Sequence, residues 1–169
     1  MTGIVAVVNG WGTVPRAEAG EQDQPFPDPQ ELATLLPSTA AALRRAALVT
    51  LADQLHPVFA ATTPAQRVRR VAALLKETGV RPTLTISPDG IRADWVVDHA
   101  GDAWLAAAAV ALRQHLEEHQ GERLGICGAA RCADAYVDAS PVGHRRYCSI
   151  SCQNRTRVAA FRQRAASAG

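Results

Sequence analysis

The chain has 169 residues and a net charge of +2, with 47% hydrophobic and 20% charged residues. This length allows one medium domain, or one domain with a small appendage, and the composition is that of a globular protein rather than a disordered one. No apolar run approaches the roughly 18 residues that a membrane helix needs, so we expect a cytoplasmic protein without a membrane partner.

The first part of the chain is predicted to contain a short strand, a long loop and a short helix. Residues 3–9 are apolar and rich in β-branched side chains, which favours a buried strand, although the run is too short to exclude a helix. Residues 10–27 are rich in Gly, Pro and acidic side chains and predict a long loop. A short helix begins where Asp28 caps and Glu31 completes a capping box, and it ends at Pro37.

Two longer helices follow. The first is capped by Ser38 and stopped by Pro57, and the second is capped by Thr63 and stopped by Gly79. The stripe predicted to be buried on the first helix comprises Leu43, Ala47, Leu51 and Leu55. The corresponding face of the second comprises Val68, Val71, Leu74 and Leu75.

Over residues 83–97 the spacing of apolar residues changes from helical to strand-like. Two predicted strands flank a predicted type I turn at residues 87–90. An alanine-rich helix is predicted over residues 98–120. The fold class is therefore α+β: a mainly helical body with a small antiparallel β-hairpin, and a small C-terminal module that ends in a helix. We predict two domains, the body over residues 1–121 and the module over residues 122–169.

The charges of the two predicted parts differ in sign. Residues 1–120 hold ten basic and thirteen acidic side chains, whereas residues 121–169 hold eight arginines and three acids. This asymmetry indicates an anion-binding surface in the C-terminal part.

All four cysteines lie in that C-terminal part. Their spacing is Cys127-x4-Cys132, then fifteen residues, then Cys148-x3-Cys152. Two short-spaced pairs joined by a loop are typical of a tetrahedral zinc site, and soft thiolates favour zinc over magnesium or calcium. Since four protein ligands close the coordination sphere, we predict one structural Zn²⁺ per chain. An iron–sulfur cluster, disulfide-bonded cysteines or unligated cysteines are the alternatives.

A motif of histidine and glutamate in the predicted body is a weaker signal of metal binding. Residues 115–119 have the order His-x-x-Glu-His of inverted zinc proteases. That chemistry needs a third ligand on a downstream helix, and no obvious one is present. We therefore expect a solvated helix end here, and a protein that is not an enzyme.

The residues from Ser149 to Ala165 follow a helical pattern. At about 100° per residue, one narrow face contains Asn154, Val158, Phe161 and Ala165. We expect this face to pack on the zinc module, which makes Asn154 a structural hydrogen-bonding residue. Two arginine rows flank it, Arg155 with Arg162 and Arg157 with Arg164. Asp138, in the loop between the cysteine pairs, is expected to be a scaffolding residue that orients an arginine such as Arg155 or Arg146.

The segment from Cys148 to Arg155, Cys-Ser-Ile-Ser-Cys-Gln-Asn-Arg, resembles the CGNR zinc-finger family. Arg157 and Arg162 after it, Tyr136-Val137-Asp138-Ala139-Ser140 before it, and Arg145-Arg146-Tyr147 belong to the same pattern. Gln153 departs from the glycine in the family's name. The order of elements in the body resembles the family's N-terminal ABATE domain.

The resemblance implies a bacterial transcription regulator whose finger binds double-stranded DNA and whose body senses a signal or dimerises. The predicted DNA contacts are Arg145, Arg146, Arg155, Arg157, Arg162 and Arg164. Because one finger has a small footprint, we expect a homodimer formed through the N-terminal body. The alternative function is a protein-interaction adaptor whose zinc module docks an acidic partner.

Overall fold

The computed structural model describes residues 1–34 and 44–167. In chain order the helices are α1 (Thr2–Trp11), α2 (Thr13–Ala19), α3 (Arg45–Ala60), α4 (Pro64–Thr78), α5 (Ala103–Glu118) and α6 (Ile150–Ala166). The strands are β1 (Arg81–Ser87), β2 (Gly90–Val96), β3 (Leu124–Ile126) and β4 (Ala135–Val137), and short 3₁₀ helices lie at Pro29–Thr34 and Ala100–Asp102. The predicted α+β class, mainly helical with small antiparallel sheets, is confirmed.

The contacts divide the chain into two compact units. One comprises Met1–Thr62 together with Arg123–Gly169, and the other comprises Thr63–Glu122. This grouping describes which residues touch, whereas the two predicted domains, 1–121 and 122–169, concern which segments fold alone. That division remains a prediction. Within the described ranges, no helix combines the length and the apolar character needed to cross a bilayer.

The strand predicted over residues 3–9 is wrong, because this segment lies within α1. Ile4, Val7, Val8 and Trp11 of α1 are buried, whereas Val5 is half-buried. The four buried side chains follow the i, i+3, i+4, i+7 spacing of one helix face, and α1 packs this face against α3. Burial of this helical stripe therefore outweighs the β-propensity of the branched residues.

The long loop predicted over residues 10–27 is also wrong, since it contains α2. This helix ends at Gly20, which adopts the left-handed conformation with a φ of 76°. Asp28 does act as a cap, its carboxylate accepting a hydrogen bond from the Gln30 N–H at 2.9 Å. The helix that follows is 3₁₀ rather than α. The predicted stop at Pro37 and cap at Ser38 lie outside the described residues.

Helix α3 continues past the proline that was predicted to stop it. Pro57 lies inside the helix, which ends at Ala60. A proline at an interior position costs about 3 kcal/mol, but the extra turn buries Val58 and Phe59, each only 1% exposed. Full burial of two such side chains contributes roughly 3–6 kcal/mol, which offsets the proline.

The buried face of α3 was predicted only in part. Leu51 and Leu55 are buried as expected, but Ala47 is exposed and Leu48 takes the buried position instead. Leu43 lies outside the described residues. In the described part of the helix, the buried face therefore starts at Leu48 instead of Ala47.

The unit of residues 63–122 contains α4, α5 and the hairpin of β1 and β2. The predicted start and stop of α4 are confirmed: the Thr63 side chain accepts a hydrogen bond from the Gln66 N–H, and Gly79 has a left-handed φ of 60°. Val71 and Leu74 are buried, whereas Val68, predicted to be buried, is 54% exposed. The α4 and α5 helices pack together, and the predicted hairpin is confirmed as antiparallel β1 and β2.

A four-cysteine metal centre and the helix after it

The first cysteine pair follows a short hairpin. Strands β3 and β4 pair with Gly125 opposite Tyr136. A Cβ on Gly125 would lie 2.6 Å from the tyrosine ring, so a larger residue at this position would displace the ring. Cys127 comes directly after β3, and its N–H donates to the Asp134 carbonyl at 2.9 Å. The tight loop closed by this bond carries Cys132 back towards Cys127.

The second pair is built on the start of α6. Ser149 is the N-cap, and its hydroxyl accepts a hydrogen bond from the Cys152 N–H at 3.2 Å. Cys148 immediately precedes this cap, and Cys152 lies in the first turn. Their separation of four residues places both sulfurs on one side of the helix start. The sequence prediction of a helix beginning at Ser149 is confirmed.

The four sulfurs come together as a cluster. All lie within 4.8 Å of one another. The Cys132–Cys148, Cys148–Cys152 and Cys152–Cys132 sulfur pairs are 3.7, 3.5 and 3.8 Å apart. A tetrahedral zinc ion with Zn–S bonds of 2.3 Å requires sulfurs about 3.8 Å apart. The four cysteines are free rather than disulfide-bonded, so the cluster fits one structural zinc ion.

The cysteine sulfurs are also the centre of the module's small core. Cys127 and Cys152 are buried together with Ala129, and Tyr147 packs against them. Burial raises the pKa of Cys132 to about 12, and the neighbouring Asp134 carboxylate contributes to this rise. Burial and the same carboxylate also raise the pKa of Cys148. Because zinc binds the thiolate form, these thiols release their protons when the metal binds.

Cys152 differs from these two. Burial by itself would raise its pKa, but hydrogen bonds from the Ser149 hydroxyl and the neighbouring thiols outweigh burial, and the pKa is lowered. Nη2 of the Arg155 guanidinium donates a hydrogen bond to the Cys152 sulfur at 3.3 Å. Zinc with four thiolates carries a net charge of −2, so this arginine offsets part of the negative charge. It acts as a support of the metal site from within α6.

Arg145, predicted as a DNA contact, has a clear role inside the module. Its guanidinium donates to the carbonyls of Tyr147 at 2.8 Å, Val137 at 3.2 Å and Cys148. It also lies over the Tyr136 ring, 5.4 Å from the centroid. One side chain thereby links β4 to the second cysteine pair. Its contact with DNA remains a prediction.

Asp138 was expected to be a scaffolding residue that orients an arginine such as Arg155 or Arg146. The scaffolding role is confirmed, but its hydrogen bonds go to neither of these side chains. Its buried carboxylate instead accepts hydrogen bonds from the backbone N–H groups of Ser140 at 2.8 Å and Arg145 at 2.9 Å. Burial alone would raise the pKa of Asp138, but these hydrogen bonds and the charge of Arg123 outweigh it, and the pKa is lowered. Asp138 therefore shapes the loop between the cysteine pairs.

The apolar face of α6 is not packed on the module, contrary to expectation. Val158 is 49% exposed and Phe161 is 67% exposed, and Asn154 is exposed as well. Ile150, at the start of the same stripe, is 75% exposed. The interpretation of Asn154 as a buried structural residue is therefore wrong, since a helical stripe is buried only where another element covers it.

The predicted arginine rows lie on this same exposed helix. Arg155, Arg157, Arg162 and Arg164 are all exposed, as is Arg146 in the preceding loop. Arg164 donates to the Ala160 carbonyl of its own helix. Within the described part of the chain, Arg157 and Arg162 make no hydrogen bond or ion pair. No acidic residue occurs after Asp138, so the surface of α6 carries positive charge only.

Sequence reasoning missed Asn9, which joins α1 to the module. Its side-chain Nδ2 donates to the Ala135 carbonyl at 3.0 Å, and its Oδ1 accepts from the Ala135 N–H at 2.7 Å. The signal was a single amide side chain in an otherwise apolar segment. Asp134, whose carboxylate lies 3.3 Å from the Cys148 sulfur, was also missed.

Residues 123–165 match the family model of the CGNR zinc finger. The matched segment contains all four cysteines and every residue of α6 except the last. It covers about a quarter of the chain. No curated protein matches the chain.

Proposed function

We propose that this chain is a DNA-binding transcription regulator and that α6 is the helix that binds in the major groove. The observation that carries the proposal is the exposure of α6: the helix is fixed at its start by the metal centre, and beyond that start it is surrounded by solvent with four arginines and no acid. The CGNR zinc-finger match over the same residues supports it.

The dimensions of α6 suit the major groove. The helix has 17 residues, which corresponds to a length of about 25 Å. The major groove is about 12 Å wide and admits an α-helix. Because Ser149 and Cys152 anchor only the first turn, the rest of the helix is free to lie along the groove.

The distribution of side chains around α6 gives an orientation. The stripe of Asn154, Val158 and Phe161 would face the base edges, where apolar groups contact thymine methyls and an asparagine amide pairs with adenine. Arg155 and Arg162 on one flank, and Arg157 and Arg164 on the other, would reach the two phosphate backbones that border the groove. Arg146 would reach a phosphate from the loop before the helix.

The zinc ion has a structural role in this proposal. Four thiolates leave no position for water or substrate, so the chain is proposed to work without catalysis. Arg145 would strengthen the surface indirectly, because it holds the loop against Tyr136 and the second cysteine pair. The protein would act in the bacterial cytoplasm, where its DNA lies.

The alternative is an adaptor whose α6 docks in an acidic protein groove. Helices that bind in this way present large apolar anchors at i, i+3 or i+4 and i+7. The stripe of α6 has Ile150, Val158 and Phe161, but Asn154 interrupts it and Ala165 is small. This composition favours a groove lined with hydrogen-bonding base edges over one lined with apolar side chains.

A salt-dependent binding titration tests the proposal. The zinc-loaded chain is titrated into random duplex DNA at two or more salt concentrations, and the log–log slope is expected to lose about 0.9 for each phosphate contact removed. Arg157→Gln and Arg162→Gln should each reduce the slope by about that amount. Arg69→Gln, on the exposed surface of α4, is the matched control.

Two results would overturn it. One is the absence of binding at low salt. The other is a slope that Arg69→Gln changes as much as Arg157→Gln does. Binding to an acidic peptide without binding to DNA would support the adaptor instead.

A further inference from the structure

The hairpin of β1 and β2 has one entirely apolar face. Residues that lie opposite each other in an antiparallel pair share a face, and alternate pairs share the same one. The pairs Pro82 with Trp95, Leu84 with Ala93, and Ile86 with Ile91 alternate along the ladder. All six side chains of this face are therefore apolar, and the face carries no charge.

The opposite face is polar. Thr83 lies opposite Asp94, and Thr85 lies opposite Arg92. The Thr85 hydroxyl donates to the Asp94 carboxylate at 3.4 Å. The hairpin is thus amphipathic, as a strand pair is when one side faces water and the other a core.

The apolar face is nevertheless exposed. Ile86 is 91% exposed, Ile91 76%, Leu84 73% and Trp95 49%. A two-stranded hairpin is only marginally stable in water and normally needs further strands or a packed face. Contiguous exposed apolar side chains of this kind mark an interaction surface.

We propose that this face is covered by the same face of a second copy of the chain. A two-fold axis places a surface against itself, so the surface must not repel its own image. This face satisfies that condition, because none of Pro82, Leu84, Ile86, Ile91, Ala93 and Trp95 is charged. The inference concerns a different surface from α6 and does not depend on DNA binding.

The charges of the hairpin weigh against other occupants. Residues 81–96 contain two arginines and two aspartates, and Arg81 makes an ion pair with Asp98 at 2.7 Å. A lipid surface is bound by amphipathic segments rich in Lys and Arg, and an acidic partner would need the same excess. A flat face of two strands also lacks the concave shape that encloses a small molecule.

The two faces would stack rather than pair edge to edge. Pro82 lies within β1 and has no N–H to donate, which weakens pairing along that strand. Each strand has seven residues, so the face measures about 24 Å by 10 Å. This is well below the roughly 800 Å² per partner of a standard interface, so the dimer is expected to dissociate on dilution.

Sedimentation of the full, zinc-loaded chain over a broad concentration series, without DNA, tests the inference. The mass is expected to rise with concentration from 18.0 kDa towards twice that value. Ile86→Lys should keep the chain monomeric at concentrations where the wild type is dimeric. Thr85→Lys adds the same charge at the neighbouring position, which lies on the polar face of the hairpin. This variant should dimerise as the wild type does.

Folding and contact can be checked in the same samples. Ile86 is almost fully exposed, so its replacement should leave the circular dichroism spectrum and the zinc content unchanged. Tryptophan emission should shift to shorter wavelength as concentration rises, and Trp95→Phe should abolish that shift. A wild type of 18.0 kDa at every concentration would overturn the inference, as would an Ile86→Lys variant that dimerises as strongly as the wild type.

Discussion

The side chain of Asn9 satisfies both backbone groups of Ala135. Its amide donates to the Ala135 carbonyl at 3.0 Å and accepts from the Ala135 N–H at 2.7 Å. Ala135 is only 1% exposed, so water could not replace the lost bonds. A helix at the start of the chain is thereby attached to β4, the strand that leads out of the first cysteine loop.

Asn9→Ala is expected to lower the free energy of unfolding by roughly 1–3 kcal/mol, because it leaves two buried backbone groups of Ala135 without partners. Chemical denaturation followed by circular dichroism measures this change. Asn154→Ala, at an exposed position of α6, is the control and should stay within about 0.5 kcal/mol of the wild type. Equal effects of the two substitutions would contradict the role of Asn9.

Cys148→Ser is expected to remove the zinc ion, since the cluster loses one of four soft ligands and its first-turn partner Cys152 loses its pair. Elemental analysis should give close to one zinc per wild-type chain and much less for the variant. Because the metal contributes about 10–16 kcal/mol to the folding of comparable modules, α6 should lose helicity as well. Ser151→Ala, in the same turn but without a thiol, should retain the metal. Full zinc occupancy in Cys148→Ser would refute this ligand set.

Arg155 and Arg157 are expected to differ although both are exposed arginines of α6. Arg155→Gln removes the hydrogen bond to the Cys152 sulfur, and loss of such a supporting contact lowers metal affinity by about tenfold or more. Arg157→Gln should leave zinc affinity unchanged. Competition with a chromophoric zinc chelator measures both. Indistinguishable zinc affinities of the two variants would show that Arg155 does not support the metal.

His115 is expected to make stability depend on pH. Burial lowers its pKa from the usual 6.5, and the nearby His119 adds to the effect while Glu118 opposes it. The fold therefore favours the neutral ring: this contribution to stability is complete above the unfolded pKa and is lost as the pH falls from 6.5 towards the lowered value.

The free energy of unfolding should thus fall as the pH drops below the usual histidine pKa of 6.5, and that of His115→Leu should fall less. His99→Leu, at an exposed position, should follow the wild type. The measurement is chemical denaturation at each pH. A wild type and a His115→Leu variant with the same pH dependence would contradict the prediction.

Local sequence patterns correctly predicted those parts of the structure that depend on residues close together in the chain. Helix α4 begins after Thr63 and ends before Gly79. The Thr63 cap and the left-handed glycine each determine the conformation of the adjacent turn only. Ser149 does the same for α6. The hairpin of β1 and β2 follows from an alternating pattern on either side of a turn. In each case the deciding contact spans only a few residues.

Errors arose where a distant element decides. Residues 3–9 could be a strand or a helix by composition, and packing of α1 against α3 selected the helix. Helix α3 continues past Pro57 because Val58 and Phe59 are buried in the core. The sequence contained the helical spacing of Ile4, Val7, Val8 and Trp11, but a run of that length does not separate the two periods.

The metal centre was predictable from the sequence alone, because two short-spaced cysteine pairs joined by a loop are typical of a tetrahedral zinc site. The sequence also determined the basic character of α6, since charge is a property of composition. Which apolar surfaces stay uncovered, on α6 and on the hairpin of β1 and β2, depends on how the elements pack in the folded chain. The physical reason is that an amphipathic pattern specifies a face that can be buried, whereas burial requires another element within reach.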